Sequence, residues 1–99
     1  MNATVSNALR ALFNYADSGV YTSNQTSITC PMWCDTGWRD TLNGYDSVAA
    51  ELVTLISVLN EHVPFASVGD VILLNGRYYS VVQIDAKDEF VTNLIVKSE

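Results

Sequence analysis

The sequence predicts an α+β fold that is mainly β: an N-terminal helix packed on a small antiparallel β-barrel or sandwich, which ends in a three-stranded meander. Three observations carry this expectation. Near the start, Val5, Ala8, Leu9, Leu12 and Ala16 recur at three- and four-residue spacing, the period of an amphipathic helix. In the last third, Asn75-Gly76 separates two apolar, β-branched runs. That is the strongest short-range hairpin signal, because both central residues of a type I′ turn need positive φ. The runs around this turn also carry apolar residues on both faces, which suits a rolled barrel or sandwich better than an open two-layer sheet.

Taken in order, the helix is expected over residues 3–17, with Asn2 or Thr4 as N-cap and Ser18-Gly19 as its stop. Asn7, Arg10, Asn14 and Asp17 lie opposite the apolar stripe, so the stripe either covers the β structure or contacts a neighbouring subunit. After the polar stretch 22–26 comes a strand over 27–34, interrupted by Pro31. Proline cannot donate to a ladder, which predicts an edge strand or a bulge. Cys30 and Cys34 share one face of that strand. At about 3.3 Å per residue their Cα atoms lie on the order of 13 Å apart, beyond disulfide reach, and both read as small buried hydrophobes.

Residues 35–47 are rich in Asp, Gly, Thr and Asn, with Gly37 and Gly44 as punctuation, and read as a long loop. A loop of this length in so small a domain is typically functional or mobile. Trp38, Arg39 and Tyr45 are residue types of interface hot spots, while burial of Trp38 as a lid on the core fits the habit of large aromatics equally. Residues 48–59 stay open between helix and strand. Ala49, Ala50, Leu52, Val53, Ile56 and Leu59 suit a helical face, but the run 52–59 is crowded with β-branched residues that suit a pleated surface. Pro64 ends the element in either case, with Val63 and Phe65 available to plug the core. The meander then occupies 70–74, 77–84 and 89–96.

Ninety-nine residues at 48% hydrophobic content suffice for a single domain, 1–99, with one core. The net charge of -6 argues against a general nucleic-acid binder, since Arg10, Arg39, Arg77, Lys87 and Lys97 are scattered and phosphate contacts need clustered cations. The most apolar stretches, 71–74 and 52–59, are far shorter than the roughly 20 residues of a spanning helix. Met1-Asn2-Ala3-Thr4 lacks a basic leader, so a soluble cytosolic chain without membrane contact is expected. No metal or other cofactor is expected either, because His62 and two cysteines leave a soft-ligand set incomplete. Asp35, Asp40 and Asp46 with His62 are the grouping an enzyme would use. Their spacing matches no ligand loop, and no nucleophile, base and orienting group assemble, so no catalysis is expected.

Gly69-Asp70, the four apolar residues that follow, the turn containing Gly76, Tyr79-x-Val81 with Ile84, the acidic turn, and the closing Leu94-Ile95-Val96 together resemble the small head-tail joining proteins of tailed bacteriophages and prophages. The nearest likeness is to the lambda-type head-completion, or attachment, family. Upstream, the segment 57–63 resembles that family's strand and acidic turn before its own Gly-Asp, which tips 52–60 toward strand. The chain departs from the family in being acidic, in lacking a basic C-terminal tail and in carrying Cys30 and Cys34.

The resemblance implies a structural protein without chemistry or cofactor, which assembles as a ring between a portal or connector complex and tail proteins. It further implies a monomer when isolated, residence in the host bacterial cytoplasm during assembly, and a final place in the virion neck. Segment 35–47 is then expected to be the docking loop, with Trp38, Arg39, Asp40 and Tyr45 as partner-binding residues. Two alternatives stand beside this: a tail terminator or other neck protein, and a non-catalytic small β-barrel binding module in which Tyr78 and Tyr79 stack bases.

Overall fold

The computed structural model describes residues 16–43 and 47–99, with the backbone alone for 39–43 and 47–51. The described residues form six antiparallel strands: β1 (Asp17–Ser23), β2 (Thr26–Asn43), β3 (Ser47–Leu59), β4 (Val71–Leu74), β5 (Arg77–Lys87) and β6 (Val91–Ser98). Their order is β1-β2-β3-β6-β5-β4, and β4 pairs back onto β1 from Gly19↔Leu74 to Thr22↔Val71. The sheet is therefore a closed barrel, which leaves no edge along the closed wall.

This corrects the α+β expectation. The described residues contain no helix, and the fold they form is all β. The helix expected over 3–17 falls on 3–15 outside the described residues, and Asp17, expected as its last residue, is instead the first of β1. β1 escapes a reading by composition because it is seven residues of mostly small and polar types. Its alternation is nonetheless clean: Gly19, Tyr21 and Ser23 are buried while Val20 and Thr22 lie half-buried on the outer side.

The expected loop over 35–47 is the second correction. Residues 35–43 continue β2, and each pairs with β3, from Asp35↔Leu55 to Asn43↔Ser47. Cross-strand partners, not intrinsic propensity, hold this polar run in a strand. The open choice over 48–59 resolves to strand for the same reason. Pro31 marks neither an edge strand nor an interruption: it pairs with Ser18 of β1, and the β2–β3 ladder begins one residue later at Met32↔Val58. Proline thus sits within one ladder only.

The meander lies close to its expected place. Asn75 and Gly76 have φ of 52° and 76°, as the two-residue turn requires. In β5 the simple alternation fails, since register shifts fall between Val81 and Gln83 and between Ile84 and Ala86. The extra residues let Tyr79, Val81 and Ile84 all meet the core, the usual effect of a bulge.

The interior is filled by Tyr21, Cys30, Met32, Ile56, Val58, Ile72, Leu74, Val81, Leu94 and Val96, with Val63 fully buried after β3. Val63 plugs one end of the barrel, where its N–H donates to the Leu59 carbonyl. The same end holds Asp70, whose backbone oxygen accepts from Val81 N–H while Gly69 N–H donates to Val81 O.

Candidate functional site

The barrel wall accounts for only part of β2 and β3. β1 accompanies β2 no further than Asp17↔Met32, and β6 accompanies β3 no further than Thr54↔Val96. From Gly37↔Val53 to Asn43↔Ser47, the two strands pair with each other, flanked by no third described strand. At about 3.3 Å per residue this ribbon reaches roughly 20 Å beyond the barrel.

Alternation fixes which side chains the ribbon presents. Cys34 pairs with Ile56, whose side chain enters the core, so Trp38 and Leu52 fall on the continuation of that inner side. They are direct register partners and are 66% and 55% exposed. Beside them, between the ribbon and the end of β6, lies a cleft of about 350 Å³ lined by Leu52, Thr54, Val96 and Lys97 among others. Register pairing places an indole and an isobutyl group on the same pleated face, the arrangement in which cross-strand side chains can pack.

Of the expected partner-binding residues, Trp38, Arg39 and Asp40 all lie on the ribbon, the last two in register with Glu51 and Ala50. Tyr45 lies outside the described residues. The structure adds Leu52, which no sequence pattern singled out because its significance comes from pairing with Trp38. Trp38 is not a lid on the core: its exposure is too large for that role.

Of the group Asp35, Asp40, Asp46 and His62, the side chain of Asp40 and the whole of Asp46 lie outside the described residues, and the other two lie toward opposite ends of β3. Asp35 is exposed at the ribbon base, where its Oδ1 accepts from Thr36 N–H at 2.8 Å. His62 lies past the other end of β3, 3.9 Å from Glu61. Among the described residues, no group of three His, Cys, Asp or Glu side chains could hold a metal ion, and no helix is long and apolar enough to cross a membrane. Both cysteines are free; Cys30 is buried as expected, but Cys34 is exposed. Burial pushes the Cys30 thiol up, and partial desolvation followed by the charges of Asp35 and Asp17 does the same to Cys34.

A second polar constellation sits at the plugged end. Tyr21 O–H donates to Asp70 Oδ2 at 2.5 Å, Ser67 N–H donates to the same oxygen at 2.8 Å, and Ser67 O–H donates to Oδ1 at 3.3 Å. Burial, then the hydrogen bond and charge of Asp70, raise the Tyr21 phenol well above its ordinary pKa. With both carboxylate oxygens occupied, this group pins the loop before β4 to the core. Compared with known proteins, the chain matches no family model and no curated protein.

Proposed function

We propose that the chain is a structural neck protein that joins a DNA-filled phage head to its tail as a ring-forming component, with the β2–β3 ribbon as its docking element. The exposed Trp38–Leu52 pair carries this reading. Full burial of each of two such side chains is worth about 1.5–3 kcal/mol, which makes them suited to a central contact surrounded by polar groups. The resemblance in the last third of the sequence supplies the biological setting. Acidity fits it too, since a net charge of -6 offers DNA no counterion-release gain and lets it pass without being gripped.

The test is complementation of head-tail joining by the Trp38→Ala, Leu52→Ala double variant. Because both side chains are more than half exposed, the far-ultraviolet circular dichroism and melting temperature should stay near wild type while joining is lost. Normal joining by the folded variant would sink the proposal.

A further inference from the structure

At the plugged end of the barrel, where β2 begins and away from the ribbon in which it ends, lies a hollow of about 280 Å³ lined by Ser23, Asn24, Thr26, Phe65 and Ser67. Two elements build it. One wall is the β1–β2 hairpin, whose turn residues Asn24 and Gln25 have φ of 47° and 70°, the tight two-residue geometry that matches the twist of its strands. The other is the segment before β4, which Asp70 fastens to the core through Tyr21 and Ser67. The hollow is therefore shaped before anything enters it.

Ser23 places a polar group where polarity is costly. The residue is only 9% exposed, yet its hydroxyl makes no hydrogen bond to another described residue. Among the described residues no fully buried side-chain oxygen lacks a partner, so this hydroxyl belongs to the small surface that Ser23 keeps, on the hollow it lines. It is a bond open to whatever enters. Beside it, Asn24 offers a carboxamide that donates and accepts, and Thr26 a second hydroxyl. Across from them, Ser67 donates its O–H to Asp70, which leaves the Ser67 oxygen able to accept from a ligand.

Phe65 supplies the apolar counterpart. Its ring is 42% exposed, and Tyr21 meets it edge-on at a centroid distance of 6.1 Å and an interplanar angle of 69°. No lining residue is charged. The nearby Asp70 carboxylate already has both oxygens occupied, so neither an anion nor a cation finds a free counter-charge. The polar groups stand on two separate walls, as the substituents around a sugar ring do and the single edge of a nucleobase does not.

We propose that this hollow binds a neutral sugar ring, with its C–H face against Phe65 and its hydroxyls toward Ser23, Asn24, Thr26 and Ser67. The aromatic face supplies the apolar contact and the dispersed hydroxyls fix orientation. This goes beyond the joining role and does not depend on it.

The test is a nuclear magnetic resonance titration of the isotope-labelled full chain with methyl β-D-glucopyranoside, methyl β-D-galactopyranoside and, for comparison, uridine. At least one glycoside should give saturable amide shifts confined to 23–26 and 65–67, with a dissociation constant in the millimolar range that so small and open a site allows. Ser23→Ala removes only the unpaired hydroxyl, and Phe65→Leu keeps apolar bulk while removing the ring. Each should bind that glycoside about tenfold more weakly. Val68→Ala, an exposed position of the same segment outside the lining, should bind it like wild type. Three results overturn the inference: no saturable shift with either glycoside, which leaves a hydrated depression only; equal binding by wild type and the two lining variants; or tighter binding of uridine at these residues, which makes the hollow a base pocket.

Discussion

Asp70 is the one charged side chain buried among the described residues, and its cost is met by three donors: Tyr21 O–H, Ser67 N–H and Ser67 O–H. Replacing Tyr21 by Phe keeps the ring and its edge-on contact with Phe65, whose centroid is 6.1 Å away. It removes one charge-assisted bond and should cost about 1.5–3 kcal/mol in urea unfolding at neutral pH. The pH dependence has a definite sign. An unfolded tyrosine releases its proton near its ordinary pKa of 10, whereas the folded chain holds the Tyr21 proton to a higher pH. The advantage of wild type over Tyr21→Phe is therefore complete below pH 10 and shrinks as pH rises above it. A difference that is constant through the alkaline range would show that the phenol is not held this way. Gly69-Asp70 stood out in the sequence as a motif, but its purpose did not, because the residue that explains it lies 49 positions away.

At the scale of elements, the signals that were legible are local ones. Asn75-Gly76 states its own backbone geometry, and the alternation of β4 follows from adjacent residues. β1 and the outer half of β2 are the opposite case, since Asp17–Ser23 and residues 35–43 are strands only because partners are supplied from elsewhere in the chain. Gly19 shows what that placement demands. A Cβ added there would stand 2.7 Å from Met32 Sδ, 3.0 Å from the Leu73 carbonyl oxygen and 3.1 Å from Leu74 Cδ1. The methionine tail can move aside, but the β4 backbone is tied to β1 by the closing ladder. Gly19→Ala should therefore destabilise by about 1–3 kcal/mol, as overpacking does, and the measurement is the shift of the urea midpoint at unchanged slope. A neutral result would mean that β1 and β4 separate at little cost, and that the barrel seam is looser than its register implies. The Trp38–Leu52 pair belongs to this class as well: Trp38 stood out in the sequence as a candidate contact, but Leu52 joins it only through the β2–β3 register.

Closure of the barrel is a property of the whole chain, since the β1–β4 seam joins residues 19–22 to 71–74 and no local pattern announces it. Closure also decides how charge is displayed. Around the plugged end lie Glu61, Asp85, Asp88 and Glu89, while Lys87 at that end donates to the Pro64 carbonyl. Asp88 is committed to its turn, where its Oδ1 accepts from Phe90 and Val91 N–H, and those bonds hold its carboxyl below the ordinary range. At the opposite end Arg77 and Lys97 share space with Asp17 and Glu99. A strand-sided nucleic-acid platform needs stacking aromatics on a continuous cationic track. Here one aromatic of the Tyr78-Tyr79 pair faces out and the other packs on the core, so the platform is halved and its cations are interleaved with acids. In gel retardation with single-stranded DNA the protein should give no shifted complex at physiological salt, nor a gain on lowering the salt that cationic tracking would produce. A complex that tightens steeply as salt falls would replace the joining role with that of a small β-barrel binding module. Persistence of free DNA at both salts, together with loss of joining in the ribbon variant, would place the activity of this chain in the contacts it makes with other proteins.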